Sequence, residues 1–127
     1  MTVNVLLVTH TDIGKALIQV VQTTFGQVPA HWRHMAVSYQ HDAKQLLANL
    51  NQALHELPGK DGTLVITDVF GATPCNMALT LKQHEPIRLI SGVNLPMLFK
   101  IVNYADLPLD ELADKALVGG REGIRLC

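Results

Sequence analysis

Hydrophobic and polar positions along the chain follow two kinds of pattern that succeed one another. Val3-Asn4-Val5-Leu6-Leu7-Val8 is a nearly unbroken apolar run rich in β-branched residues, which predicts a strand covered on both faces, as in a parallel sheet. From Ile13 the period lengthens: Ile13, Ala16, Leu17, Val20, Val21 and Thr24 fall at helical spacing, with Thr11 or Asp12 to cap the helix and Gly26 to end it. Ala30 to Val37 is a weaker strand, because Trp32 and Met35 do not alternate cleanly. Asp42 opens the clearest helix, whose apolar face is Leu46, Leu47, Leu50, Ala53, Leu54 and Leu57 and which Pro58-Gly59 stops. Thr63-Leu64-Val65-Ile66-Thr67 again reads as a buried strand, with Asp68 at its end. The loop Val69 to Pro74 then leads into a helix over about Asn76–Lys82.

Ile87-Arg88-Leu89-Ile90-Ser91 reads as the fourth strand, and Pro96 falls in the first turn of the helix that begins at Leu95. A last helix runs from about Leu109 to Val118 and is expected to stop at Gly119-Gly120, leaving Ile124 to Cys127 as a short edge strand. Strands separated by helices imply βαβ units with right-handed crossovers. The expected fold is α/β: a single doubly wound domain, residues 1–127, with a mostly parallel central sheet flanked by helices.

Composition narrows the function more than the fold. The 127 residues carry 10 Lys+Arg against 11 Asp+Glu, a formal charge of −1, and no basic run. That balance argues against nucleic acid or an anionic membrane as the main partner. Cys75 and Cys127 are too few for a disulfide framework, and no CxxC spacing occurs. The N-terminus lacks a basic segment and its apolar run stops at Val8, so it reads as neither a signal peptide nor a membrane span, and a cytoplasmic location is expected. No cofactor motif is present. Gly14-Lys15 lacks the upstream glycine of a phosphate-binding loop, and GxGxxG is missing.

In open parallel sheets ligands bind outside the carboxyl ends of the strands. Two chemistry-bearing residues follow buried strands directly, His10 and Asp68, so both can project into one crevice. A carboxylate that accepts from one ring nitrogen fixes the tautomer and leaves the other nitrogen as a lone-pair nucleophile. The helix start near Asp12, the segment Gly71-Ala72-Thr73 before another helix and the Thr73 hydroxyl suit an anion. Together these point to phosphoryl transfer through phosphohistidine. A zinc site of His10, His41 and Asp68, serving a hydrolase, is the competing arrangement. His31, His34, His41, His55 and His84 are otherwise read as structural or solvent-exposed, Asp12 and Asp42 as helix caps, and Cys75 as a bystander thiol.

Three ordered motifs carry a resemblance. Leu6-Leu7-Val8-Thr9-His10 with Gly14 and Ala16-Leu17, then Ile66-Thr67-Asp68-Val69-Phe70-Gly71-Ala72-Thr73-Pro74-Cys75-Asn76, then Ser91-Gly92-Val93-Asn94-Leu95-Pro96-Met97-Leu98, resemble the mannose-family IIA components of the bacterial phosphoenolpyruvate-dependent sugar phosphotransferase system. The resemblance implies that His10 is phosphorylated through Nε2, that Asp68 hydrogen-bonds Nδ1, and that Thr73 contacts the phosphoryl group. Thr11, Gly71 and Ala72 fall at phosphoryl-binding positions, although Thr11 and Ala72 stand where the family often has glycine and Cys75 where it often has serine. It further implies HPr as phosphoryl donor and a IIB component as acceptor, no cofactor or metal, and a homodimer that exchanges a C-terminal strand, here Ile124 to Cys127. Transport-linked phosphotransfer is the first expectation. The alternative is a regulatory phosphocarrier whose His10 phosphorylation controls binding to another protein. The phosphocarrier subunit of dihydroxyacetone kinase shares the early histidine but differs in the second loop.

Overall fold

A computed structural model describes residues 2–38, 42–69, 76, 79 and 86–127. Four strands, β1 (Asn4–His10), β2 (Trp32–Val37), β3 (Thr63–Thr67) and β4 (Ile87–Ser91), form one sheet in the order β2-β1-β3-β4 with every pairing parallel. The helices are α1 (Ile13–Phe25), α2 (Ala43–Glu56), α3 (Leu95–Asn103) and α4 (Leu109–Glu122). The helix expected between β3 and β4 lies largely outside the described residues, and Asn76 and Leu79 within that stretch are helical.

The apolar runs become strands because both faces of the sheet are covered. Alternate residues divide between two cores. Val5, Leu7, Leu64 and Ile66 pack with Val21 of α1, Met97, Leu98 and Ile101 of α3, and Leu112 and Ala116 of α4. Leu6, Val8 and Val65 face the other way, against Leu46 and Leu50 of α2. From β1 the chain moves to one side for β2 and then past β1 to the other side for β3. Crossovers of one hand must therefore lay α1 and α2 on opposite faces, as they do here.

The helix ends follow local chemistry, with two departures from the sequence reading. Gly26 takes the left-handed conformation (φ 84°) that ends α1, Asp42 caps α2 by accepting from Gln45 N–H at 2.7 Å, and Pro96 lies in the first turn of α3. Neither Thr11 nor Asp12 caps α1 with its side chain. The Thr9 hydroxyl, reaching up from β1, accepts from Gly14 N–H at 2.8 Å instead. Gly119-Gly120 does not end the last helix, which runs on to Glu122. Both glycines are buried where α4 crosses α3, and a methyl group on Gly119 would come 2.8 Å from Lys100 Cβ. They are helical because the close helix crossing rewards a missing side chain more than propensity penalises it. Residues 124–127 form no strand with their own sheet and trail from α4, with Ile124 and Leu126 exposed.

Candidate functional site

All four strands run in one direction, and the register aligns their carboxyl ends along a single edge: His10 is level with Val37, and Thr67 with Val8 and Ser91. The connections leaving β1 and β3 depart toward opposite sides of the sheet, so the gap between these neighbours is the topological switch point, where open α/β sheets form crevices. His10 ends β1 and Asp68 follows β3 by one residue. The fold thus brings together the two residues that the sequence places after buried strands.

Their contact is specific. The Asp68 carboxylate accepts from His10 twice through Oδ2, from the backbone N–H at 3.0 Å and from ring Nδ1 at 2.8 Å. Its other oxygen accepts from Val69 N–H at 3.0 Å. A carboxylate is an acceptor only, so the ring nitrogen facing it carries hydrogen and Nε2 holds the lone pair. The Asp68 side chain is 8% exposed while that of His10 is 26% exposed, so the orienting group is buried and the ring reaches the surface. Burial alone would raise the Asp68 pKa. The hydrogen bonds from the His10 backbone and ring, with the attraction to that ring, outweigh burial and hold the carboxyl below its ordinary value.

The chain has only Thr11 and Asp12 in which to leave the sheet and begin α1 at Ile13. Thr11 takes φ 43°, alone among the described non-glycine residues in having positive φ, and donates its N–H to the Val37 carbonyl at 3.1 Å. Gly14 lets α1 approach β1, since a methyl group there would lie 3.0 Å from Thr9 Oγ1 and 3.3 Å from Leu7 Cβ. Thr9 and Val37 therefore shape the loop. Sequence reasoning passed over both, because a buried threonine in an apolar run and a strand-end carbonyl leave no local signal. Thr67, one residue before Asp68, is fully buried and its hydroxyl has no hydrogen-bond partner among the described residues.

Thr73, Gly71, Ala72 and Cys75 lie outside the described residues, as do His41 and His84, so of the zinc arrangement only His10 and Asp68 are placed. His34 and His55 are exposed, and His31 is half-buried with its pKa lowered by burial and by Arg33. His34 lies on β2 opposite Leu7, and His55 in the last turn of α2. Among the described residues, no helix is long and apolar enough to cross a membrane.

A histidine held through Nδ1 at the switch point of a parallel sheet is the arrangement the sequence resemblance implies. The profile of the family EIIA-man, described as "PTS system fructose IIA component", matches residues 4–117. The chain belongs to this family. It is 29% identical over 131 residues to the PTS system mannose-specific EIIAB component of Escherichia coli, a match that takes in 98% of this chain and 39% of that protein. The IIA chain thus spans about two fifths of that relative's length. It is 30% identical over 112 residues to the PTS system sorbose-specific EIIA component of Lacticaseibacillus casei, covering 85% of this chain and 78% of that one. In fold it matches the crystal structure of phosphotransferase system component EIIA from Streptococcus agalactiae with a TM-score of 0.86 at 22% identity, over 98% of this chain and 97% of the other.

Proposed function

We propose that residues 1–127 act as one phosphocarrier domain that accepts a phosphoryl group from phospho-HPr on His10 Nε2 and passes it to a histidine of a IIB component for sugar uptake. The observation that carries this reading is the 2.8 Å hydrogen bond between His10 Nδ1 and the buried Asp68 carboxylate at the switch point. With Nδ1 protonated, the Nε2 lone pair attacks phosphorus in line with the donor's N–P bond. That bond breaks, and the donor imidazole leaves with the electron pair. No proton needs to move. The phosphorylated ring keeps hydrogen on Nδ1 and so carries positive charge, which Asp68 offsets. Transfer to the IIB histidine is the same displacement in reverse. The loop residues Gly71, Ala72 and Thr73, with Thr11 beside His10, receive the phosphoryl oxygens, and the step uses no cofactor.

The same reading includes a homodimer in which residues 124–127 cross to a second copy. Two features support it. Ile124 and Leu126 are 77% and 103% exposed. Beside the outer edge strand β4 runs a groove of about 480 Å³, lined by apolar Ile90, Met97 and Leu117 and by polar Ser91 and Arg121.

The test is incubation with phosphoenolpyruvate, enzyme I and HPr, followed by intact-mass measurement. Wild type should gain one acid-labile phosphoryl group and His10→Ala none. A gain by His10→Ala would overturn the assignment of His10, and no gain by wild type would overturn the phosphocarrier reading itself.

A further inference from the structure

Asn94 lies where the start of α3 meets the end of α4, and both ends of its amide are used. Its Oδ1 accepts from Met97 N–H at 3.0 Å and so caps α3, while its Nδ2 donates to the Gly120 carbonyl at 3.0 Å. The second bond meets a need in α4. Carbonyls in the last turn of a helix lack intrahelical donors. Ile124 N–H, which would continue the ladder onto Gly120, goes to the Arg121 carbonyl at 3.3 Å instead. Ser or Asp would cap α3 as well as Asn does. The cap alone therefore does not account for an amide at this position, whereas the bond across to α4 does.

The same loop is tied to the site on its other side. Gly92 N–H and Val93 N–H both donate to the Thr67 carbonyl, at 3.0 and 3.1 Å, and Thr67 is the last residue of β3 before Asp68. A short run of hydrogen bonds thus joins the end of β3, the 92–94 loop and the end of α4, from which residues 124–127 trail. Gly92, Asn94 and Gly120 also line the groove beside β4, so a segment seated there covers the Asn94–Gly120 bond. Gly119, Gly120 and Gly123 make the last turn of α4 weakly helical on its own, and its closing is a two-state step that seating can bias. Resting on the phosphocarrier and homodimer readings above, we propose that Asn94 is a positioning residue that couples assembly to transfer. Residues 124–127 of a second copy, seated in the groove, close the last turn of α4. Asn94 passes that order through the 92–94 loop to Thr67 and Asp68, the group that orients His10.

Two substitutions separate the parts. Leu126 is fully exposed in its own protomer, so Leu126→Asp leaves the fold intact and brings a charge to the apolar groove. By analytical ultracentrifugation it should be monomeric. Its rate of labelling at saturating phospho-HPr, read by rapid quench with radiolabelled phosphoenolpyruvate, enzyme I and HPr, should fall about tenfold, within the usual range for coupling between sites. Saturation keeps a lost donor-docking surface from mimicking the effect. Asn94→Asp keeps the α3 cap, loses the donor to Gly120, and should stay dimeric while slowing by about the same factor. The double variant should also lose only about tenfold, because both changes cut one route. Amide exchange at Gly92 and Val93 should quicken in both single variants, which a tail that served assembly alone would not produce. A folded, monomeric Leu126→Asp that transfers at the wild-type rate would overturn the coupling while leaving His10 as carrier. So would Asn94→Asp at the wild-type rate, or a loss of about a hundredfold in the double variant. A dimeric Leu126→Asp or a monomeric wild type would overturn the seating of the tail and the proposal with it. Wild type that takes no label would remove the carrier reading itself.

Discussion

Replacing Asp68 by Asn keeps the shape of the side chain and removes its charge, and the hydrogen bonds around it dictate how the amide must sit. Three N–H donors converge on the carboxylate: His10 N and Nδ1 on Oδ2, and Val69 N on Oδ1. The amide oxygen keeps the most bonds by taking the Oδ2 position, which leaves the NH2 group facing Val69 N–H. The His10 tautomer survives in that orientation. What is lost is the negative charge opposite a ring that becomes cationic on phosphorylation. Unit charges about 4 Å apart near a protein surface attract by about 4 kcal/mol. The His10 side chain is 26% exposed, so solvent removes roughly half of that and leaves about 2 kcal/mol. Phosphorylation of Asp68→Asn should then be slower by about 30-fold, with the variant still folded.

The assay is rapid-quench transfer from phospho-HPr at about pH 7, where the free carboxylate is fully ionised. A rate within about threefold of wild type would refute charge compensation as the role of Asp68. Stability supplies an independent readout. Because the folded-state pKa of Asp68 is depressed, its contribution is fully present above the unfolded value near 3.8 and is lost as pH falls through the lower folded value. The part of the stability gap between wild type and Asp68→Asn that comes from this shift should therefore close in strongly acidic solution. A gap that persisted unchanged there would refute it.

Other substitutions test the frame that holds the site. Gly119→Ala should destabilise the fold by about 1–3 kcal/mol, since the new methyl meets Lys100 Cβ and Cγ at 2.8 and 2.6 Å and α3 must move away from α4. Gly120→Ala should be close to neutral by chemical denaturation, because the atom it meets at 2.9 Å is the flexible end of Met97 and the gain in helix propensity offsets the contact. Equal losses at the two positions would refute the idea that α4 approaches α3 through Gly119. Thr67→Val should stabilise by about 1–2 kcal/mol, measured by denaturant midpoint, because it replaces a buried hydroxyl that has no partner among the described residues by an isosteric methyl. A loss of stability would show that the hydroxyl is satisfied.

Most of this frame is legible in the sequence because it depends on burial. β1 and β3 show as unbroken apolar runs since both their faces are covered, and α2 shows as a clean amphipathic helix since one face is. What escaped depends on contacts between elements distant in sequence. Gly119-Gly120 reads locally as a helix stop, yet the approach of Lys100 and Met97 keeps both glycines inside the helix. Asp12 reads locally as a cap, yet Thr9 takes that role from the neighbouring strand. In each case a tertiary contact overrides a local preference, and no window of sequence contains both partners.

The pairing of His10 with Asp68 was legible for a different reason. It follows from chain topology, with both residues at carboxyl ends of buried strands that the order β2-β1-β3-β4 makes neighbours. Topology places the two residues on one edge, and the alternation of β1, whose Asn4 N–H already donates toward β3, aims His10 N–H at Asp68 Oδ2. The turn at Thr11 that follows is where local rule and fold disagree most plainly at the site. A sequence that agrees with its fold almost everywhere else is expected to break the rule where function requires it. That places the disagreement one residue from His10, the residue on which the proposed chemistry turns.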